Sequence, residues 1–244
     1  IGDNETPASA GDIDFGGIVV EVAAGGAHTC ARHENGDVRC WGNGALGRLG
    51  YGNTNTIGDN EVPAAAGSVN VGGAVVEIDA ASSHTCARLS GGSVRCWGSG
   101  ALGALGYGNT NTIGDNETPA TAGNVDVGGT VVQMTARGAT TCVVLDTARA
   151  RCWGAGAGGA LGYANTTTIG DNESPAAAGD VDVGAPVLAI EGSRVGGLDY
   201  TCALTTAGTL RCWGQNASGQ LGYGNTNTIG DNEAPASVGA VVVF

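Results

Sequence analysis

The sequence predicts an all-β fold, a β-propeller-like array of four-stranded antiparallel blades. The first observation is a repeat: an Ile-Gly-Asp-Asn-Glu block begins at Ile1, Ile57, Ile113, Ile169 and Ile229, and such periodicity is typical of repeat architectures. The second is a Cys followed in each unit by Cys-Trp-Gly at a fixed distance. The third is composition: 46 glycines, few aromatic residues and many Val runs favour short strands joined by tight turns.

The repeats divide the chain without any change in composition, so we predict a single repeat array over residues 1–244. It contains four complete repeats and one surplus strand. The chain opens inside a repeat with neither an initiator Met nor a signal peptide, which predicts a mature, processed or excerpted polypeptide. The predicted units are 1–56, 57–112, 113–168 and 169–228, followed by a partial fifth unit, 229–244.

The unit 57–112 shows how each strand is predicted. Residues 68–71 alternate as a strand does, and Gly72-Gly73 is a two-residue turn of the kind that hairpins prefer. A second turn, Gly91-Gly92, separates two further β-rich segments. The rest of the unit is rich in Gly, Asn and Thr and is interpreted as an ordered connection to the next sheet. The four predicted strands are 68–71, 75–78, 84–88 and 94–97.

The eight cysteines form pairs with the spacing Cys-x9-Cys across a turn-like centre. This odd loop length places the two cysteines opposite each other on antiparallel strands, within reach of a disulfide. A metal site is the alternative, because His28 and His84 lie two residues before a Cys, but Thr140 and Tyr200 take the same positions in the other units. The predicted bonds are Cys30–Cys40, Cys86–Cys96, Cys142–Cys152 and Cys202–Cys212. Four disulfides predict an extracellular or cell-surface location.

Paired carboxylates recur in the Gly-Asp-Asn-Glu turns. Asp59 with Glu61 and Asp115 with Glu117 are weak calcium candidates, since clusters of oxygen donors bind that ion. The alternative is that these side chains cap the backbone of their own turn. We favour capping, and the sequence predicts neither a metal nor a cofactor.

Charge and residue usage argue against several classes of function. The formal net charge is −13 and the chain has no Lys, which disfavours nucleic-acid binding. No apolar stretch approaches the length of a bilayer span, so membrane insertion is not expected. None of the three histidines is shared by all units, and no nucleophile elbow or phosphate loop is present. The sequence therefore predicts a protein that is not an enzyme.

Each unit contains one Trp next to its second Cys, at positions 41, 97, 153 and 213. An exposed Trp could stack on sugar rings, whereas a buried one would supply core volume in a chain rich in Gly and Ala. The position within a strand favours the core.

Several motifs carry a family resemblance that covers essentially the whole chain. Gly26-Ala27-His28-Thr29, Gly36-Asp37-Val38, Trp41-Gly42 and above all the block at 213–224, Trp-Gly-Gln-Asn-Ala-Ser-Gly-Gln-Leu-Gly-Tyr-Gly, resemble the regulator of chromosome condensation repeat family, in a bacterial-type, disulfide-containing form. Units one to three have Arg or Ala where this block has Gln220. The resemblance implies a β-propeller, a ring of about seven blades in most members, and a rigid platform for protein contacts.

We therefore expect a non-enzymatic extracellular structural or protein-interaction repeat protein. Near-identical units suit identical contacts, so the expected partner is the protein itself, associated head to tail in a filament or surface layer. The alternative is a secreted propeller that binds a specific protein or carbohydrate ligand. The surplus strand is expected to complete a sheet of the next molecule. The residues predicted to take part in assembly are Asp12, Ile13, Phe15, Val241, Val242, Val243 and Phe244.

Overall fold

The computed structural model describes residues 3–193 and 199–242 and contains, within them, four antiparallel sheets. Each sheet has three strands in chain order, β1-β2-β3, β4-β5-β6, β7-β8-β9 and β10-β11-β12. In every blade the first strand has an irregular register near its start. The strands are β1 Val19–Ala24, β2 His28–His33, β3 Val38–Gly42, β4 Val75–Ala80, β5 His84–Leu89, β6 Val94–Gly98, β7 Val131–Arg137, β8 Thr140–Leu145, β9 Ala150–Gly154, β10 Val187–Gly192, β11 Tyr200–Thr205 and β12 Leu210–Gly214.

The prediction of four-stranded blades is wrong, because segment 68–71 is not a strand. Its Val69 N–H donates to the Val38 carbonyl of the preceding unit at 2.8 Å, but the Val71 N–H then donates to the Val69 carbonyl at 2.9 Å. This local turn uses the Val71 N–H, which would otherwise make the next hydrogen bond to the neighbouring strand. A blade is therefore three strands with one extended segment of the following unit beside its last strand.

The same arrangement accounts for the surplus strand at the end of the chain. The Val241 N–H donates to the Leu210 carbonyl at 2.8 Å, so this segment flanks β12 of its own chain. Val242 is exposed, whereas Val243 and Phe244 lie outside the described residues. At the other end Asp12 and Ile13 are exposed, while Phe15 is buried and packs against Trp41 with ring centroids 5.6 Å apart.

Short helical turns, which the sequence pattern does not predict, connect the sheets. A Pro begins five of them and a Gly with positive φ follows each of those, in line with the preferences for helix starts and ends. They are α-helical at Pro119–Ala122 and Pro175–Ala178 and 3-10 at Pro7–Ala10, Ala45–Gly47, Pro63–Ala66, Ala101–Gly103, Ala157–Gly159 and Pro235–Val238.

The core lies within and between the blades as one continuous cluster. The largest fully buried side chains are Trp97, Trp153 and Trp213, followed by the Leu of each long connection. Burial of these large rings is what stabilises a chain with so few other bulky residues. The blades therefore form one packed array rather than separate hairpins.

Candidate functional site

The four disulfides join residues that face each other directly on the second and third strands of each blade. The bonded pairs are Cys30–Cys40, Cys86–Cys96, Cys142–Cys152 and Cys202–Cys212, with Cα atoms 4.0 to 4.1 Å apart, and the register places the two members of each pair opposite one another. A Tyr supports the hairpin from the long connection. The Tyr51 hydroxyl accepts the Cys40 N–H at 3.2 Å and donates to the Gly67 carbonyl at 3.1 Å. Burial raises the pKa of the equivalent Tyr107 and Tyr163 to about 12.

The contact between successive blades is built around the Trp of each unit. The Trp97 indole N–H donates to the Arg48 carbonyl of the preceding unit at 3.1 Å, and the Thr85 hydroxyl donates to the same oxygen. The ring rests on Gly50, where a Cβ would come within 2.8 Å of the Trp97 Nε1, so that position must be Gly. Trp153 and Trp213 repeat this contact with the Ala104 and Ala160 carbonyls.

A second set of interblade contacts runs along the first strands. Glu21 accepts the Ile78 N–H of the next blade at 3.3 Å, and Glu77 accepts the Met134 N–H at 3.2 Å. Gln133 holds the next blade twice: its Oε1 accepts the Ile190 N–H and its Nε2 donates to the Ile190 carbonyl, both at 2.8 Å. Burial raises the pKa of Glu77, although its bonds to Arg88 and Met134 oppose that shift. These side chains satisfy backbone groups that the neighbouring sheet leaves free.

Two histidines bridge the blades as neutral side chains. His28 Nε2 lies 2.8 Å from Thr85 Oγ1, and His84 Nε2 lies 2.9 Å from Thr141 Oγ1. Each Thr hydroxyl also lies within hydrogen-bond distance of a loop carbonyl that can only accept, which favours the histidine Nε2–H as the donor in this bond. Burial lowers the pKa of His28 to about 4 and that of His84 to about 3.

One charged cluster joins the second, third and fourth blades. Arg137 donates to the Asp79 carboxylate and to the Ala136 carbonyl, and its Nη2 lies 3.6 Å from Glu191. The Asp79 carboxylate also accepts the Ala136 N–H at 2.9 Å. Arg137 is thus paired and buried, as a charge at this depth must be.

The first blade exposes the positions that the interblade contact covers elsewhere. Val22 is 62% exposed, whereas its equivalents Ile78, Met134 and Ile190 are at most 3% exposed. Val19 is likewise 38% exposed, and Trp41 and Thr29 are half-buried. Among the described residues the Trp41 indole N–H has no acceptor. We call this surface the Trp face and define it by Val19, Val22, Thr29 and Trp41.

The last unit exposes the opposite half of the same contact. Gly222 is exposed and Gln220 is half-buried, whereas Gly50 and Arg48, their equivalents in the first unit, are buried under the next blade. We call this surface the loop face and define it by Cys202, Leu210, Gly219, Gln220 and Gly222. The side-chain hydrogen bonds that Glu21, Glu77 and Gln133 make to the next blade have no counterpart in the last unit. Ala189 takes that position.

The calcium candidates do not converge. Within residues 3–193 and 199–242 no group of three His, Cys, Asp or Glu side chains could hold a metal ion. Local hydrogen bonds occupy part of the turn instead, since Glu117 accepts the Asn116 N–H at 3.2 Å. Asp59 and Glu61 lie on the equivalent turn of the preceding repeat, and Asp115 Oδ1 is buried with no hydrogen-bond partner in the part of the chain that the structure describes.

Fold and contacts together define an open array of β-propeller blades joined by one repeated interface. The model of the regulator of chromosome condensation (RCC1) repeat matches residues 19–48, 75–104 and 195–220. The chain therefore carries repeats of the regulator of chromosome condensation family, and the resemblance drawn from its motifs is confirmed. Within the described residues, no helix has the length and apolar character needed to cross a membrane.

Known proteins of this family are similar over most of the chain. The ultraviolet-B receptor UVR8 of Arabidopsis thaliana is 31% identical over 214 residues, which are 85% of this chain and 44% of the receptor. The human WBSCR16 structure is 23% identical with a TM-score of 0.70 over 94% of this chain and 54% of that one. Yeast RCC1 (Prp20) bound to Kap60 is 22% identical with a TM-score of 0.61, over 88% and 48% of the two chains. This chain thus spans less than half the length of the curated receptor that it matches.

Proposed function

We propose that this chain is a non-catalytic, extracellular protein-interaction module that associates with itself head to tail. The observation that supports this proposal is the complementarity of its two ends. The Trp face offers an indole N–H, a Thr hydroxyl and exposed aliphatic side chains, and the loop face offers the Gln220 carbonyl above Gly222. These are the two halves of an interface that the chain uses three times internally.

Docking of this kind is heterologous, because the two surfaces of the contact are different. Such a contact propagates as a filament unless its rotation closes a ring. The exposed aliphatic side chains of the Trp face would be buried, which provides the hydrophobic part of the driving force. The Trp41 N–H and the Thr29 hydroxyl would both donate to the Gln220 carbonyl, as their equivalents do within the chain.

The docking mode differs from strand donation. Both Ile13 and Val241 correspond to the segment that flanks the last strand of a blade, and Val241 already occupies that place on β12. The described residues before Phe15 are almost all exposed. The incoming copy can therefore keep its N-terminal segment outside the contact while the Trp face docks.

An extracellular location is supported by the four disulfides. Disulfides persist in oxidising compartments and are rare in the cytosol. The net charge of −13 makes copies of this chain repel each other, so the proposed association must depend on the specific apolar contact.

A second candidate function is the binding of another protein, and a row of exposed aliphatic residues favours it. Val20, Val76, Val132 and Leu188 take the same place in the four blades and are 36% to 60% exposed. Binding of carbohydrate by aromatic stacking has less support, because Trp97, Trp153 and Trp213 are fully buried. In the related yeast structure the propeller protein is bound to Kap60.

The experiment compares Val22→Glu with Val20→Glu in sedimentation velocity over a series of concentrations. Both residues lie on β1 and are 62% and 50% exposed, but only Val22 has equivalents that an adjacent blade buries. A charge buried at the docked interface without a partner is strongly unfavourable. Val22→Glu should therefore abolish association, and Val20→Glu should leave it at the wild-type level. Equal behaviour of the two variants, or a monomeric wild type at every concentration, would refute the proposal.

A further inference from the structure

The last unit departs from the others at one position that lines a cavity. Asp199 takes the place held by Ala27, Ser83 and Ala139 in units one to three. The cavity, of about 270 Å³, lies where the second, third and fourth blades meet. It is lined by Ser82, Ser83, His84, Ser99, Leu102 and Asp199 together with small residues.

The Asp199 carboxylate has no partner within the described residues, which provide neither a hydrogen-bond donor nor a positive charge to it. It is half-buried and rests on Gly138, whose missing Cβ leaves the space for it. Burial raises the pKa of this carboxyl group. A partly desolvated carboxylate without a partner is unfavourable, and a cation that entered the cavity would remove that penalty.

The other walls indicate what shape of cation fits. Leu102 and Ala101 form an apolar side, and three serine hydroxyls add hydrogen-bonding groups. Among the described residues no Arg lines the cavity, and His84 is neutral because burial lowers its pKa to about 3. The volume lies below the range of about 300–1,000 Å³ usual for drug-sized ligands. A single side chain or a small molecule therefore fits, and an oligosaccharide does not.

We propose that this cavity binds a positively charged nitrogen carried on a short apolar stem, with Asp199 as its counter-ion and the serine hydroxyls as further acceptors. The chemistry is that of an alkylammonium or guanidinium group. It is supplied either by a free small amine or by a Lys or Arg side chain of a protein partner.

The test is a titration of the intact chain followed by amide shifts in ¹H–¹⁵N NMR spectra. The probes are n-butylamine, Nα-acetyl-lysine methylamide and Nα-acetyl-arginine methylamide, with the Nε-acetylated lysine compound as the neutral control. We expect saturable shifts at Ser82, Ser83, Ser99, Gly138 and Ala139 with charged probes and none with the neutral one. Tighter binding of butylamine than of the blocked amino acids would identify a free amine as the source, and the reverse order would identify a side chain.

Two variants and one control make the assignment to Asp199 specific. Asp199→Asn and Asp199→Ala should each weaken binding by about tenfold or more, the range expected when one partner of a charged hydrogen bond is lost. The Ala variant should fold, since Ala27 and Ala139 hold the same position in other units. Glu34→Gln removes one charge from an exposed residue outside the cavity and should change nothing. Undiminished binding by folded Asp199→Asn, equal binding of the neutral probe, or no shifts at all would overturn the proposal.

Discussion

Replacing Ala189 with Gln should strengthen head-to-tail association. In the third blade, Gln133 at the same position makes two hydrogen bonds of 2.8 Å to the backbone of Ile190 in the next blade. Ala189 cannot make either bond, so in the docked arrangement the backbone of Val22 would have no side-chain partner. The docked interface of the wild-type chain therefore lacks the two side-chain hydrogen bonds that join the third and fourth blades.

The size of the gain follows from those two bonds. A hydrogen bond contributes about 0.5–1.5 kcal/mol net, so two contribute roughly 1–3 kcal/mol before the entropy of fixing the Gln side chain is subtracted. Since about 1.4 kcal/mol is tenfold in affinity, we expect the dissociation constant to fall by about tenfold.

Sedimentation equilibrium on wild type, Ala189→Gln and Ala189→Leu measures this change directly. The Leu variant adds a side chain of similar length without the amide, so it controls for added apolar area. The reasoning is refuted if Ala189→Gln associates no more tightly than Ala189→Leu.

Three further predictions concern the stability of the single chain. Burial lowers the pKa of His28 to about 4 and that of His84 to about 3, so below pH 6.5 the unfolded chain binds more protons than the folded chain. Stability is therefore lost as the pH falls from 6.5 towards 4 for His28 and towards 3 for His84, by on the order of 2 kcal/mol per histidine between pH 7 and pH 4.5. Urea midpoints at these two pH values should show a loss that His→Thr variants reduce, and an unchanged loss in those variants would contradict the prediction. Trp97→Phe removes a buried hydrogen bond to the Arg48 carbonyl and should lower the free energy of unfolding by about 1–2 kcal/mol. Trp41→Phe, measured at concentrations where the chain is monomeric, should lower it clearly less. Equal losses in the two variants would argue against the interblade role of the indole. Peptide mapping without reduction should recover only disulfides within units, each worth roughly 2–3 kcal/mol on the chain-entropy model, and links between units would be inconsistent with the hairpin register.

The repeat and the hairpin register can both be predicted directly from the sequence. Both depend on local spacing: the Gly pairs mark turns, and the odd loop between the cysteines places Cys30 opposite Cys40. The family resemblance likewise depends on short motifs. These features predict the three strands that each blade has.

The fourth strand was predicted wrongly because alternation alone does not reveal a local turn. Segment 68–71 alternates as a strand would, but the bond from the Val71 N–H to the Val69 carbonyl ends the ladder after one contact. The placement of the surplus strand likewise depends on a contact outside its own repeat, since the Val241 N–H donates to the Leu210 carbonyl of β12.

The interblade contacts could not be predicted from residue type, because the position of Glu21 reads Glu, Glu, Gln and Ala along the chain. The Glu and Gln side chains at this position all bond to the backbone of the next blade. The spacing of residues within one repeat does not reveal that contact. The last unit does differ in side-chain chemistry from the other three at two of these positions. Ala189 stands where the others have a polar side chain, and Asp199 stands where the others have a small uncharged one.

The central claim is that the Trp face of one molecule docks on the loop face of another. Sedimentation velocity and electron micrographs of the intact purified chain test this claim most directly. We expect particles larger than a monomer, either short filaments or closed rings, whose blades continue at the spacing seen within one chain. A monodisperse monomer at high concentration, or symmetric dimers joined through two copies of the same face, would contradict it.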